Sequence, residues 1–227
     1  CRVDAGRLEH GEQPRMLLHQ PGQRVEKACA AVTAELGPGR LCGAGRPHRG
    51  IDIGKMRWVS DPVELAADPD IDVFVELMGG AEGAARNAVT AALSAGKSVV
   101  TANKALLAKH GIALAEIAEK QKVALNFEAS AAGAIPIVKT LREGLAGNSI
   151  ARVYGILNGT CNYMLTRMER EKLSFEECLK EAQRLGYAEA DPSFDIEGHD
   201  TAQKLSILAS LTFGVRVDPS AIYVEGI

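Results

Sequence analysis

The sequence predicts an α/β fold, a parallel sheet followed by a second α+β domain, and three features carry that expectation. Short apolar runs rich in β-branched residues recur, Ala- and Leu-rich stretches of helix length separate them, and the two alternate at the spacing of right-handed βαβ crossovers. Ile71-Asp-Val-Phe-Val-Glu-Leu-Met78 opens the pattern as a buried strand that stops at Gly79-Gly80. Residues 81–95 hold many alanines and few breakers, so they read as a helix closed by Gly96. Lys97-Ser-Val-Val-Thr-Ala102 is the next strand, residues 104–120 the next helix, and Val123-Ala-Leu-Asn-Phe127 a third strand. The Ala/Leu stripes of 81–120 are core faces.

After Pro136 the pattern loosens. A helix over about 137–146 leads to Ile150-Ala-Arg-Val-Tyr-Gly-Ile-Leu157, which reads as a strand. Helices are expected over about 160–171, 174–185 and 198–213, with Ser174 as N-cap and Glu177 completing a capping box. Residues 51–133 therefore form one domain and 134–227 a second.

Residues 1–50 differ: they hold seven arginines, eight glycines and four prolines, with little periodicity beyond a helix at 23–36. The cluster Gly37-Pro-Gly39-Arg-Leu-Cys-Gly43 has the wrong spacing for a phosphate-binding turn and no clear strand before it, so it reads as a loop. An unpatterned Arg/Gly/Pro-rich stretch joined to a well-patterned one is what a reading-frame shift in a GC-rich gene produces. We therefore expect residues 1–50 to be an aberrant or poorly ordered segment, and a chain that opens at Cys1 to be a fragment.

Bulk properties exclude several classes. A net charge of −3 over 227 residues gives no electrostatic reason to expect a nucleic acid or an anionic membrane as partner. No uncharged apolar run approaches the ~18 residues that span a bilayer. Cys1, Cys29, Cys42, Cys161 and Cys178 make neither a CxxC pair nor a zinc-spaced cluster, so they are expected as reduced thiols in a cytoplasmic protein.

The densest chemistry lies in residues 182–204. A helix ends at Gly186, an acidic loop carries Glu189, Asp191, Pro192 and Asp195, and a new helix starts near Gly198 with Asp200 and Lys204 on one face. Spacing alone leaves two readings open, a surface ion pair of little energetic value or a pocket for a substrate bearing an ammonium group.

This stretch resembles the homoserine dehydrogenase signature, in which an alanine and a glycine precede an acidic Asp-Pro loop and a Gly-x-Asp-x-x-x-Lys helix start. Val75-Glu-Leu-Met-Gly79-Gly80, Val100-Thr-Ala-Asn-Lys104, Phe127-Glu128-Ala-Ser-Ala-Ala-Gly133-Ala-Ile135-Pro136 and Gly155-Ile-Leu-Asn158-Gly159-Thr160-Cys-Asn162 are similar to the same family in the same order, over roughly residues 51–227. The resemblance implies an incomplete Rossmann-like parallel sheet and a truncated α+β substrate and dimerisation domain. It implies NAD(P)-dependent hydride transfer between homoserine and aspartate semialdehyde, in threonine, methionine and isoleucine biosynthesis, by a homodimer.

Roles carry over by position as expectations. Lys204 exchanges a proton with the substrate hydroxyl, Asp200 is its close partner, and Lys104 is a second essential lysine near nicotinamide and substrate. Glu189 holds the ammonium, with Tyr187, Thr160 and Asp195 lining the pocket; Gly79, Thr101, Lys104 and Gly186 lie against NADP or NAD. Glu128 and the carbonyls of Ala131, Gly133 and Ile135 match a monovalent, sodium-like cation site, and oxygen ligands of that hard kind suit such an ion. Hydride transfer to an aldehyde builds alkoxide charge that a lysine ammonium can stabilise and protonate. His199 and Cys161 are read as bystanders, the first turned away from the site and the second a packing thiol.

Overall fold

A computed structural model describes residues 28–31 and 59–227, and the chain divides into two compact units between Ile135 and Pro136. The glycine cluster 37–43 and the other expectations for residues 1–27 and 32–58 lie outside the described residues.

The first unit is a four-stranded parallel sheet in the order β1 (Ala28–Ala31), β2 (Val73–Glu76), β3 (Ser98–Thr101), β4 (Leu125–Asn126). Helices α1 (Pro62–Ala67), α2 (Ala84–Ser94) and α3 (Lys104–Gln121) connect these strands, and α4 (Glu128–Ala131) follows β4. Val73 pairs in register with both Ala28 and Ser98, so β2 is bonded on either side. That explains its apolar run: Phe74 is fully buried, which contributes ~1.5–3 kcal/mol, and Val89, Leu93, Val99 and Leu106 are fully buried in the same unit. Residues 28–31 were expected in a helix and form a strand instead; parallel pairing with β2 satisfies their backbone and overrides local propensity. Helix α1 was not foreseen, although Asp61, whose carboxylate accepts from the Val63 amide, and Pro62 at the first turn are its start signals.

Helix ends follow local chemistry. Gly96 ends α2 at φ +75°, with its N–H donating to the Leu93 carbonyl and the Lys97 N–H to that of Ala92, the paired bonds of a Schellman motif. Asn103 caps α3 through its side-chain oxygen, which accepts from the Leu106 amide.

The second unit is built from helices. α5 (Ile137–Lys139) runs directly into a π-helical turn, Thr140–Gly144, closed by the Leu145 N–H on the Thr140 carbonyl. Then follow α6 (Gly159–Glu171), α7 (Phe175–Arg184), the short α8 (Ser193–Ile196) and α9 (His199–Phe213). The Ser174/Glu177 capping box forms as expected. Met164, Cys178, Ala182 and Ala188 make one core, and Ala202, Leu205, Ala209, Val217 and Ile222 another. The expected strand at 150–157 does not form. An extended run needs a neighbour to satisfy its backbone, no described strand lies beside it, and Tyr154 and Ile156 stand 88% and 76% exposed.

Candidate active site

In the second unit, two carboxylates of the acidic segment, Asp195 and Asp200, meet at the start of α9, whereas Asp191 bonds Ser193 and only the Glu189 backbone is engaged. Gly186 ends α7 at φ +77° in a Schellman motif, its N–H donating to Gln183 and that of Tyr187 to Ala182. Gly198 then takes φ +85° between α8 and α9, a left-handed bend that a side chain resists. That bend lets α9 begin within two residues of α8, so Asp195 on α8 and Asp200 on α9 stand close to one asparagine.

Asp200 is 4% exposed, and its Oδ2 lies 2.7 Å from Lys204 Nζ. The pair is therefore not a surface ion pair, and solvent screens it little. Lys204 Nζ also donates to the Leu157 carbonyl at 2.9 Å. An ammonium has three donors, so these two bonds fix its direction and leave one N–H for a substrate oxygen. Asn158 completes the cluster: its Nδ2 donates to Asp195 Oδ1 at 2.7 Å and to Asp200 Oδ2 at 3.0 Å.

The other expected substrate residues make contacts of their own. Thr160 Oγ1 donates to the Tyr187 carbonyl at 2.7 Å, which joins the first turn of α6 to the loop after α7. Tyr187 is 57% exposed and its ring lies 4.9 Å from that of Tyr163. Glu189 is exposed, while its backbone carbonyl accepts from Gln183 Nε2. His199 is exposed and its Nε2 sits 3.3 Å from a Glu197 oxygen, away from Lys204's partners. Cys161 is buried and its Sγ donates to the Asp195 carbonyl; burial, with Asp195 and Asp200 adding, pushes its thiol pKa up and away from nucleophile chemistry.

In the first unit, the sheet's C-terminal edge carries the other expected residues. Gly79 and Gly80 follow β2 at φ +81° and +80°, and a Cβ built on either would meet nothing within 4 Å. Backbone in that conformation with open space beside it can be approached closely by a ligand. Thr101 is 2% exposed and Lys104, half-buried, is the first residue of α3. Thr101's hydroxyl is already committed, donating to Glu76 Oε2 at 2.5 Å and accepting from the Asn103 amide. Glu128 starts α4, and the chain turns at Ala134, φ 63°, between Gly133 and Ile135. Among the described residues no group of three His, Cys, Asp or Glu side chains is placed to hold a metal ion.

Three residues with roles in these clusters were not singled out from sequence: Glu76, Asn103 and Asn158. Glu76 is a carboxylate inside an apolar strand, fully buried, and that misfit was its signal. The two asparagines stand immediately before helices, and each caps its helix while its amide nitrogen serves a carboxylate.

Two family models match. Residues 28–128 match the homoserine dehydrogenase NAD binding domain and residues 136–227 the homoserine dehydrogenase domain. This chain belongs to the homoserine dehydrogenase family. The match reaches upstream of residue 51, where the motifs recognisable by eye begin. The homoserine dehydrogenase of Corynebacterium glutamicum is 53% identical over 219 residues, which is 96% of this chain and 46% of that protein. A solved homoserine dehydrogenase from Thiobacillus denitrificans is similar at TM-score 0.71 and 49% identity, over 77% of this chain and 40% of that one. A hyperthermophilic archaeal homoserine dehydrogenase mutant solved with NADPH is similar at TM-score 0.66 and 32% identity, over 72% and 51%. The chain thus spans less than half the length of the curated homoserine dehydrogenase relatives it matches. No helix among the described residues is long and apolar enough to cross a membrane.

Proposed function

We propose that this chain carries the catalytic centre of a homoserine dehydrogenase, interconverting L-homoserine and L-aspartate 4-semialdehyde with NADP or NAD. The observation that carries the reading is the buried Asp200–Lys204 pair with one ammonium N–H left over. A bound nicotinamide supplies or accepts the hydride. In the direction of aldehyde reduction, Lys204 gives a proton to the oxygen that becomes the hydroxyl; in the reverse direction its amine takes that proton. Asp200 orients the lysine, and Leu157's carbonyl limits its swing.

Glu189 is exposed and acidic, which suits it to the substrate ammonium, with Tyr187, Thr160 and Asp195 bounding the pocket. Gly79 and Gly80 fit a cofactor because their backbone is open to close approach, with Lys104 assigned to it in the same unit; Gly186, in the second unit, is assigned to the cofactor from the family resemblance alone. Thr101 acts there through its link to Glu76 rather than through a free hydroxyl. One carboxylate, Glu128, and the carbonyls of Ala131, Gly133 and Ile135 offer oxygen donors suited to a sodium-like ion. The domain assignment we favour keeps 134–227 for the substrate and extends the expected 51–133 cofactor domain upstream to take in β1, which lies in the same sheet and inside the family match. The protein works in the cytoplasm as a homodimer, for which exposed Tyr154 and Ile156 provide apolar surface.

Homoserine-dependent nicotinamide reduction tests the reading. Lys204→Ala should lower kcat by about 10²–10⁴-fold while nicotinamide binding persists, the range for loss of a positioned acid–base group. Equal turnover by Lys204→Ala and the unaltered chain sinks it.

A further inference from the structure

We propose that Asn158 is a positioning residue of this site, its one carboxamide tying Asp200, and through it Lys204, to Asp195 and to the first turn of α6. The inference rests on the homoserine dehydrogenase reading and deepens it.

The geometry is specific. Asn158 is 7% exposed. Its Oδ1 accepts from the Cys161 amide at 2.9 Å as the N-cap of α6, and both hydrogens of its Nδ2 are directed to carboxylates, Asp195 at 2.7 Å and Asp200 at 3.0 Å. The opposite amide orientation would set a carbonyl against two carboxylates and an NH₂ against the Cys161 N–H, so the network itself selects this one. Ionised carboxylates are acceptors only, and two of them can share a neighbourhood only with donors between them. Asn158 supplies those donors from the residue next to Leu157, whose carbonyl holds Lys204 Nζ. Adjacent residues therefore hold both ends of the Asp200–Lys204 pair, one through a side-chain NH₂ and one through a backbone oxygen.

Capping and bridging are separable by substitution, because Ser and Asp are N-caps comparable to Asn. Asn158→Ser keeps a capping oxygen and loses both donors to the carboxylates. Asn158→Asp also keeps the cap and adds a third carboxylate to the cluster. We expect Asn158→Ser to fold and to bind NADPH within about threefold of the unaltered chain, while kcat for homoserine falls about 10²-fold, as for a small misplacement of a reacting group. Asn158→Asp should fall further. If Asn158→Ser keeps kcat within about threefold, the residue is a helix cap only and the inference is wrong.

A measurement on the unaltered ¹⁵N-labelled chain covers the case in which neither variant folds: both side-chain amide protons of Asn158 should exchange slowly with water. Fast exchange overturns the bridge. A chain that neither binds NADPH nor turns over homoserine removes the functional reading, and this inference with it. Turnover by the unaltered chain with an unimpaired Asn158→Ser removes the inference alone.

Discussion

Glu76 offers the sharpest test of how the first unit is held together. Its carboxylate is fully buried and collects four donors: the amides of Met78 at 2.6 Å and Gly79 at 3.2 Å, Thr101 Oγ1 at 2.5 Å, and Asn103 Nδ2 at 3.4 Å. The last is weak, since that nitrogen also donates to the Gly80 carbonyl at 2.8 Å. Three good bonds to an ionised acceptor remain, each contributing about 1.5–3 kcal/mol. Glu76→Ala strands those donors, and with some water entering the glycine turn we expect a loss of about 3–5 kcal/mol. Glu76→Gln keeps an acceptor for the Met78 and Gly79 amides. It sets an NH₂ where the Thr101 hydroxyl now donates, so that buried O–H loses its acceptor and about 1–3 kcal/mol should be lost. Urea unfolding of the three proteins, followed by circular dichroism, reads both values. Because the same carboxylate shapes the Gly79–Gly80 turn, NADPH should bind Glu76→Gln more weakly than the unaltered chain. A Glu76→Gln protein within about 0.5 kcal/mol of the unaltered one, the usual range for inconsequential surface changes, would refute this account.

Two further expectations concern single contacts. Ser174→Ala removes the hydroxyl that accepts from the Glu177 amide and donates to the Glu177 carboxylate, and should cost about 1 kcal/mol in the same unfolding assay; Ser174→Thr should recover most of it. Glu82 accepts from Lys109, His110 and Arg86, which hold its carboxyl below the ordinary 4.5, down to about 2. A carboxyl lowered by folding contributes stability above its unfolded value, and that contribution fades as pH falls through the folded one. The urea midpoint of the unaltered chain should therefore exceed that of Glu82→Gln at about pH 6 and converge on it near about pH 2. Half-exposed partners make the gap small and reduced by salt; a gap that widens in acid contradicts the assignment.

Much of the fold was legible because its signals are local. The β-branched runs around Phe74 and Val99 are buried strands, and Gly96 and Gly186 stop helices where a left-handed residue is required. Ser174 and Glu177 make their capping box within four residues of chain. The expected strand at 150–157 failed for the converse reason. Its apolar, β-branched composition is a local property, but a strand exists only if another segment pairs with it. The same dependence worked in the opposite direction at Ala28–Ala31, where pairing with β2 made a strand of residues that looked helical.

The site divides along the same line. Asp200 and Lys204 could be placed on one face of a helix from their spacing alone, because four residues make about one turn. What the sequence left open was whether that pair faced water or a pocket, since burial depends on segments far away in the chain. Only the tertiary structure put Leu157 and Asn158 against it, some forty residues upstream, and buried Asp200 to 4% exposure. Glu76 likewise reads as an oddity in an apolar strand until Thr101 and Asn103 arrive from the next strand and helix. The sequence determined which groups this protein possesses and which lie on one helical face. Their energetic weight was decided by folding, because the strength of a charge or a hydrogen bond depends on what excludes water from it.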